Sequence, residues 1–178
     1  MNRIRLMTVA LVLGGLVAGA AGALALTHVP QARAGADATH RHASADAVAR
    51  GRYLVRAMGC NDCHTPGYPE RNGDVPESEW LTGNALGWRG AWGTTYPANL
   101  RLSLSAMSED EWVRYAHTFE TRPPMPWFNL RHLGDDDLRA IHRFVVSLGP
   151  KGERAPAYVP PTETPKGPYV QFPAPPAP

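Results

Sequence analysis

Cysteine is almost absent from this chain: there are two in 178 residues, at positions 60 and 63. No disulfide framework can staple the fold. A bridge between Cys60 and Cys63 would close a tiny ring and leave the neighbouring histidine unexplained. A structural zinc site needs about four nitrogen or sulfur ligands, usually from a second Cys or His pair, and no second cysteine pair exists. No run of β-branched residues flanks Cys60, which argues against the βαβ setting of a thioredoxin-like C-x-x-C. Acids are missing from the first 34 residues, and no apolar stretch after Leu26 could cross a bilayer.

What is present is Cys60-Asn61-Asp62-Cys63-His64, the C-x-x-C-H signature of c-type haem attachment. Two thiols three positions apart on a helical turn can each add to one porphyrin vinyl group. The next residue, His64, then supplies an imidazole nitrogen to the iron as proximal ligand. One haem, bound through Cys60 and Cys63, is the cofactor expected.

The two ends differ from the middle. Arg3 and Arg5 precede an uncharged apolar run, Leu6 to Leu26, and Ala32-Arg33-Ala34 offers a small-x-small cleavage site. Residues 1–34 therefore read as a secretory signal peptide and predict a periplasmic or otherwise exported protein. The length of the run leaves an uncleaved N-terminal anchor open, and membrane association is expected only with that segment retained. Without Arg3, Arg5 and Arg33 the formal charge falls from +2 to about −1, so no basic stripe remains for nucleic acid. Residues 35–44 read as a flexible linker. From Pro150 to Pro178 the chain is proline-rich and reads as an extended C-terminal segment. It either lies over the domain through Tyr158, Tyr169 and Phe172 or has no structural role.

Residues 45–149 are left for one small domain, of a size that is marginal without help. A buried haem would complete its core. Val48, Val55 and Met58 recur at helical spacing after Ser44, a possible N-cap. Gly51 lies between them and suits a close helix crossing. The expected partner is Asp135 to Leu148, with Leu138, Ile141, Phe144, Val145 and Leu148 on one face. Asp135, Asp136 and Asp137 favour the start of that helix, and Gly149-Pro150 ends it. Ser108-Glu109-Asp110-Glu111 is a capping box opening a third helix. Between Pro66 and Leu100 the chain reads as loop with Trp80, Trp88 and Trp92 in it. A loop of that length needs something to wrap, and haem is the expected object.

This ordered set resembles the class I cytochromes c: a Gly- and Tyr-bearing helix, then Cys60-x-x-Cys63-His64-Thr65-Pro66, a loop, a methionine in a proline-rich turn and a closing Leu-rich helix. Within that group it is similar to monohaem cytochrome c domains that accompany periplasmic dehydrogenases. Trp92-Gly93-Thr94-Thr95-Tyr96-Pro97-Ala98-Asn99-Leu100 and Arg122-Pro123-Pro124-Met125-Pro126-Trp127 carry the likeness, which spans about Arg50 to Pro150. The resemblance implies an all-α class I cytochrome c fold, three to four helices around one covalently bound haem with long wrapping loops.

It also implies a distal methionine. Met58 sits too close to Cys60 to reach the opposite face easily, and Met107 fits equally well in a core. Met125, held between Pro124 and Pro126, lies in the kind of turn the family uses, so the iron ligands expected are His64 and Met125. His117 and His132 are the candidates for bis-histidine ligation, and His142 is expected on the exposed side of the last helix. In the family a proline carbonyl accepts the second N–H of the ligating histidine, and Pro97 stands at the matching place. Asn99, Trp92 and Arg89 are candidates to hold haem propionates.

With both axial positions filled, no place remains for oxygen, peroxide or substrate, and the expected function is one-electron transfer. The partners implied are a donor dehydrogenase or quinol-oxidising complex and an acceptor such as a terminal oxidase. An open-iron alternative, peroxidase or ligand sensor, fits less well. A peroxidase of this fold usually carries a second C-x-x-C-H, and a helical-bundle sensor has its motif near the C-terminus.

Overall fold

The computed structural model describes residues 44–173. The signal or anchor reading of residues 1–34 and nearly all of the linker lie outside them. Among the described residues no helix is long and apolar enough to cross a membrane.

Five helices form the body: α1 (44–57), α2 (Cys60–His64), α3 (Leu100–Ser105), α4 (Glu109–Thr118) and α5 (Asp135–Ser147). Single 3-10 turns lie at Glu77–Glu79 and Trp127–His132. The helical body is that of the class I cytochrome c fold. In α1, Ser44 is the first described residue and is helical. Gly51 is where α1 meets α5: a Cβ there would strike the Ala140 carbonyl and come within 2.8 Å of Phe144 Cβ. The close crossing offsets the cost of a mid-helix glycine, about 1 kcal/mol. On the facing side Leu138, Phe144 and Val145 of α5 are fully buried, with Leu54 and Val55 of α1 in the same core.

The other helices follow from their ends. Ser108 Oγ accepts from Glu111 N while Glu111 Oε2 accepts from Ser108 N, so the capping box forms. Trp112 Nε1 donates to Leu138 O at 2.8 Å and stitches α4 to α5. Gly134 caps α5 without a side chain; the three aspartates of its first turn take that place electrostatically. One of them, Asp137, pairs with Arg50 of α1. The short helix α3 went unread in the sequence. Asn99 Oδ1 caps it by accepting from Leu102 N at 3.1 Å.

The 66–100 segment is not all loop. Strands β1 (Gly87–Gly90) and β2 (Gly93–Thr95) form a hairpin with Trp88 opposite Thr95 and Gly90 opposite Gly93. The strand β3 (Tyr169–Gln171) joins β1 in parallel, giving the order β2-β1-β3. Such a sheet escapes a periodicity reading because its strands are three or four residues long and β1 and β2 contain glycine. Their partner lies some 80 residues away. Of the two readings of the proline-rich segment, the described part adopts docking: Phe172 packs on Trp88 and Trp92 with ring centroids 5.9 and 5.2 Å away.

Candidate haem site

The motif helix α2 starts from Gly59, whose φ of 70° is in the left-handed region open to glycine. Its register is locked from behind. Thr65 Oγ1 donates to Asn61 Oδ1 and accepts from Leu81 N, both at 2.8 Å and fully buried. Leu81 itself is held at φ 62° with no exposed surface, a conformation that costs a branched residue about 1–3 kcal/mol. Its carbonyl accepts from Leu100 N and Arg101 N. The backbone is thus pinned between the motif and α3.

In front of α2 is a predominantly apolar cavity of about 370 Å³, and its wall carries Cys60, Cys63, His64 and Met125 together. These come from α2 and from the proline-rich turn 61 residues further on. The two thiols are unpaired. Burial pushes Cys60 up to about 11, helped by the charge of Asp62, and raises Cys63 for the same reasons. Half-buried thiols with raised pKa at a cavity wall are the opposite of the acidic thiolate of a disulfide oxidoreductase. His64 is 8% exposed. Its Nδ1 lies 2.7 Å from Ala98 O, and because a carbonyl can only accept, Nδ1 carries the proton. Burial lowers the imidazole below its ordinary value, opposed by that hydrogen bond. The ring is held neutral with Nε2 bearing the free lone pair, as a metal-ligating histidine requires.

The residues present fit a haem. The cavity is lined by aliphatic and aromatic side chains, among them Val55, Leu104, Ile141 and Val145. One donor on its wall is orphaned: Trp88 Nε1 is buried with no partner among the described residues, and a buried unsatisfied N–H costs about 1–3 kcal/mol. A propionate oxygen would satisfy it. No group of three or more His, Cys, Asp and Glu able to hold a bare metal ion occurs among the described residues.

Several sequence expectations change. The acceptor for His64 is Ala98, one residue past Pro97; the Pro97 carbonyl accepts instead from Asn84 N at 3.1 Å. Pro97 still lines the cavity, so it shapes the wall without orienting the imidazole. Asn99 is buried away from the cavity, donating through Nδ2 to Lys151 O and Glu153 O. Arg89 donates to Glu163 O and Pro161 O. Trp92 packs on Phe172 and donates to Trp88 O. All three propionate candidates therefore grip the C-terminal segment, because that segment fills the space beside the hairpin. Trp80 turns into the core against Phe144, and of the three loop tryptophans Trp88 alone reaches the cavity.

The histidine rivals do not reach it either. His117 pairs with Asp135 at 3.0 Å, and His132 is absent from the wall. His142, expected outside, is buried and bonds the Leu104 and Met107 carbonyls through Nε2. Met58 and Met107 share the wall with Met125. Arg122 also stands on the wall, unforeseen because one arginine beside prolines carries no periodic signal.

No protein-family model matches the chain, and no solved structure does. Over 121 residues it is 34% identical to the gluconate 2-dehydrogenase cytochrome c subunit of Pantoea cypripedii. The similarity covers 58% of this chain and 26% of that protein, so the chain spans about a quarter of the length of the curated relative it matches. The likeness is to a cytochrome c subunit of a dehydrogenase, which agrees with the helical body and with the chemistry of the cavity.

Proposed function

We propose that this chain is a c-type cytochrome that carries single electrons, with haem fixed by thioethers to Cys60 and Cys63 and its iron held by His64 and Met125. The observation that carries this reading is the shared cavity wall: both thiols, an imidazole with its lone pair free, and a thioether set between prolines. When bound, the haem supplies a ferric/ferrous couple, raised in potential by thioether ligation relative to bis-histidine.

The chain's own residues provide the rest. Ala98 O holds the His64 ring in one orientation and tautomer. Apolar walls from α1, α3 and α5 exclude water and favour the less charged, reduced state. Trp88 Nε1 offers a hydrogen bond to a propionate. Prolines 124 and 126 stiffen the turn that presents Met125, so ligation requires little rearrangement when the oxidation state changes.

The relative's name connects that protein to a dehydrogenase, which supports a donor dehydrogenase as the partner here. A quinol-oxidising complex is the other donor, and a terminal oxidase a fitting acceptor. Export follows from the reading of residues 1–34, with the haem attached outside the cytoplasm.

The test is Met125→Ala in the holoprotein. Haem should still migrate with the polypeptide in denaturing electrophoresis. The near-infrared band of methionine–iron ligation should vanish, the potential should fall, and carbon monoxide should bind. Met107→Ala should leave all of these unchanged. The reading fails if the wild-type protein releases its haem to acid-acetone, or if it binds carbon monoxide tightly and turns over peroxide.

A further inference from the structure

The C-terminal segment reaches the cavity wall at two places, through Phe172 on Trp88 and through Tyr158 on Arg122. Tyr158 stacks beneath Arg122, whose guanidinium carbon lies 3.9 Å from the ring centroid. Arg122 begins the turn that ends in Met125, and both line the cavity. The Tyr158 hydroxyl donates to Trp92 O at 2.8 Å. Its neighbour Val159 exchanges two backbone hydrogen bonds with Thr94, at 2.7 and 3.0 Å. From the adjacent residue, Thr95 Oγ1 donates to Pro123 O at 2.9 Å. The turn is thus held twice from one platform, through Arg122 by the tail and through Pro123 by β2.

The platform is shaped to receive the tail. Gly93 has φ 95°, and a Cβ there would come within 2.5 Å of Val159 O and 2.7 Å of the Tyr158 hydroxyl. The tail is secured on both sides of Tyr158: Asn99 bonds the carbonyls of Lys151 and Glu153, and Arg89 bonds those of Pro161 and Glu163. Core packing does not explain this placement, since Tyr158 is 37% exposed. What the contact does is tie down the one cavity-wall segment that lacks regular structure on the side of the sulfur ligand.

We infer that Tyr158 is a positioning residue for the sixth ligand: its ring clamps Arg122 and so keeps the Pro123–Met125 turn closed on the iron. The inference rests on the proposal that Met125 ligates. It concerns how readily that bond opens, since Tyr158 touches neither the iron nor the sulfur.

Imidazole exchange into the oxidised full-length holoprotein measures the opening, with the methionine–iron band followed in parallel. A guanidinium–aromatic contact and one hydrogen bond together correspond to about a tenfold change. Tyr158→Ala should therefore bind imidazole about tenfold faster and lose its band at lower pH than wild type. Tyr158→Phe keeps the ring over Arg122 but loses the hydroxyl bond to Trp92 O, and should recover about half of the difference on a logarithmic scale. Arg122→Ala should reproduce Tyr158→Ala, and it carries the same comparison if Tyr158→Ala does not fold. Tyr169→Ala loosens the tail at β3, away from the turn, and should exchange at the wild-type rate. The clamp is refuted if Tyr158→Ala and Arg122→Ala exchange like wild type, or if Tyr169→Ala is equally fast. A wild-type protein with no methionine–iron band refutes the ligand assignment itself, and the clamp with it.

Discussion

The α1–α5 crossing and the β-hairpin with its tail strand hold this protein together by different means. At the crossing, two long amphipathic helices press fully buried side chains together, and one glycine sets their distance. At the hairpin, strands of three and four residues are joined mainly by backbone hydrogen bonds, side-chain-to-carbonyl bonds and half-buried aromatics. The first is dry, and its strength scales with apolar area removed from water. The second is wetter, and each of its bonds contributes about 1 kcal/mol net. The haem cavity lies between them, with walls from both. The body places Cys60, Cys63 and His64 rigidly, while the hairpin and tail bear on the methionine side.

If that contrast is right, damage to the crossing should be global and damage to the hairpin local. The largest effect is expected from Gly51→Val. The clash is with the Ala140 backbone, which cannot swing aside, and overpacking together with helix separation should cost about 3 kcal/mol or prevent folding. Denaturant unfolding of the holoprotein would measure it.

Arg101→Met should follow at about 2–4 kcal/mol. Arg101 is 4% exposed and donates to Gly149 O, Leu148 O and Ser78 O. It closes the C-terminal end of α5, where a cation is favoured. Its removal takes this donor from the half-buried Leu148 and Gly149 carbonyls, while Ser78 O keeps Lys151 Nζ; burial disfavours the arginine charge itself. The same unfolding experiment applies, with methionine chosen to keep the bulk.

Phe172→Ala should cost about 1 kcal/mol or less of global stability, since the ring packs at a half-exposed edge. Limited proteolysis should nevertheless show faster cleavage after Pro150, with the Cys60–His64 region still protected. Equal loss of protection in both regions would erase the distinction drawn here.

Acid sensitivity should be the smallest effect. Arg143 and Arg50 hold Glu109 and Asp137 below their ordinary values of 4.5 and 3.8. Each pair therefore stabilises the fold above those values, and its contribution is lost as pH falls through the lowered ones. Both are surface pairs whose contribution is small because solvent screens it. Asp137→Asn should remove that pair's small contribution at neutral pH and leave stability unchanged in acid below the lowered value, so that the profile flattens slightly.

The parts of this protein that could be read in advance are those whose signal is local. C-x-x-C-H fixes which atoms face a porphyrin because one helical turn spans it. The stripe from Leu138 to Val145, the Ser108 capping box and Gly51 each declare a helix, an end or a crossing within a dozen residues. Met125 stood out through its flanking prolines, and it shares a cavity wall with His64, as Met58 and Met107 also do. The residues expected to hold propionates were misplaced for one shared reason. Asn99, Arg89 and Trp92 can each donate a hydrogen bond, but all three are engaged by carbonyls or a ring from residues 151–172, and no spacing rule reaches that far.

The sequence by itself determined the haem-attachment signature and the helical body, because side-chain reactivity and 3.6-residue periodicity are properties of short segments. Tertiary structure alone decided that Ala98 rather than Pro97 orients His64, that Trp88 is the tryptophan on the cavity wall, and that the proline-rich tail becomes a strand beside β1. A hydrogen bond of 2.7 Å is lost by a displacement of a single residue, and a strand of three residues has no periodicity of its own. Both exist only once the distant chain has been packed into place.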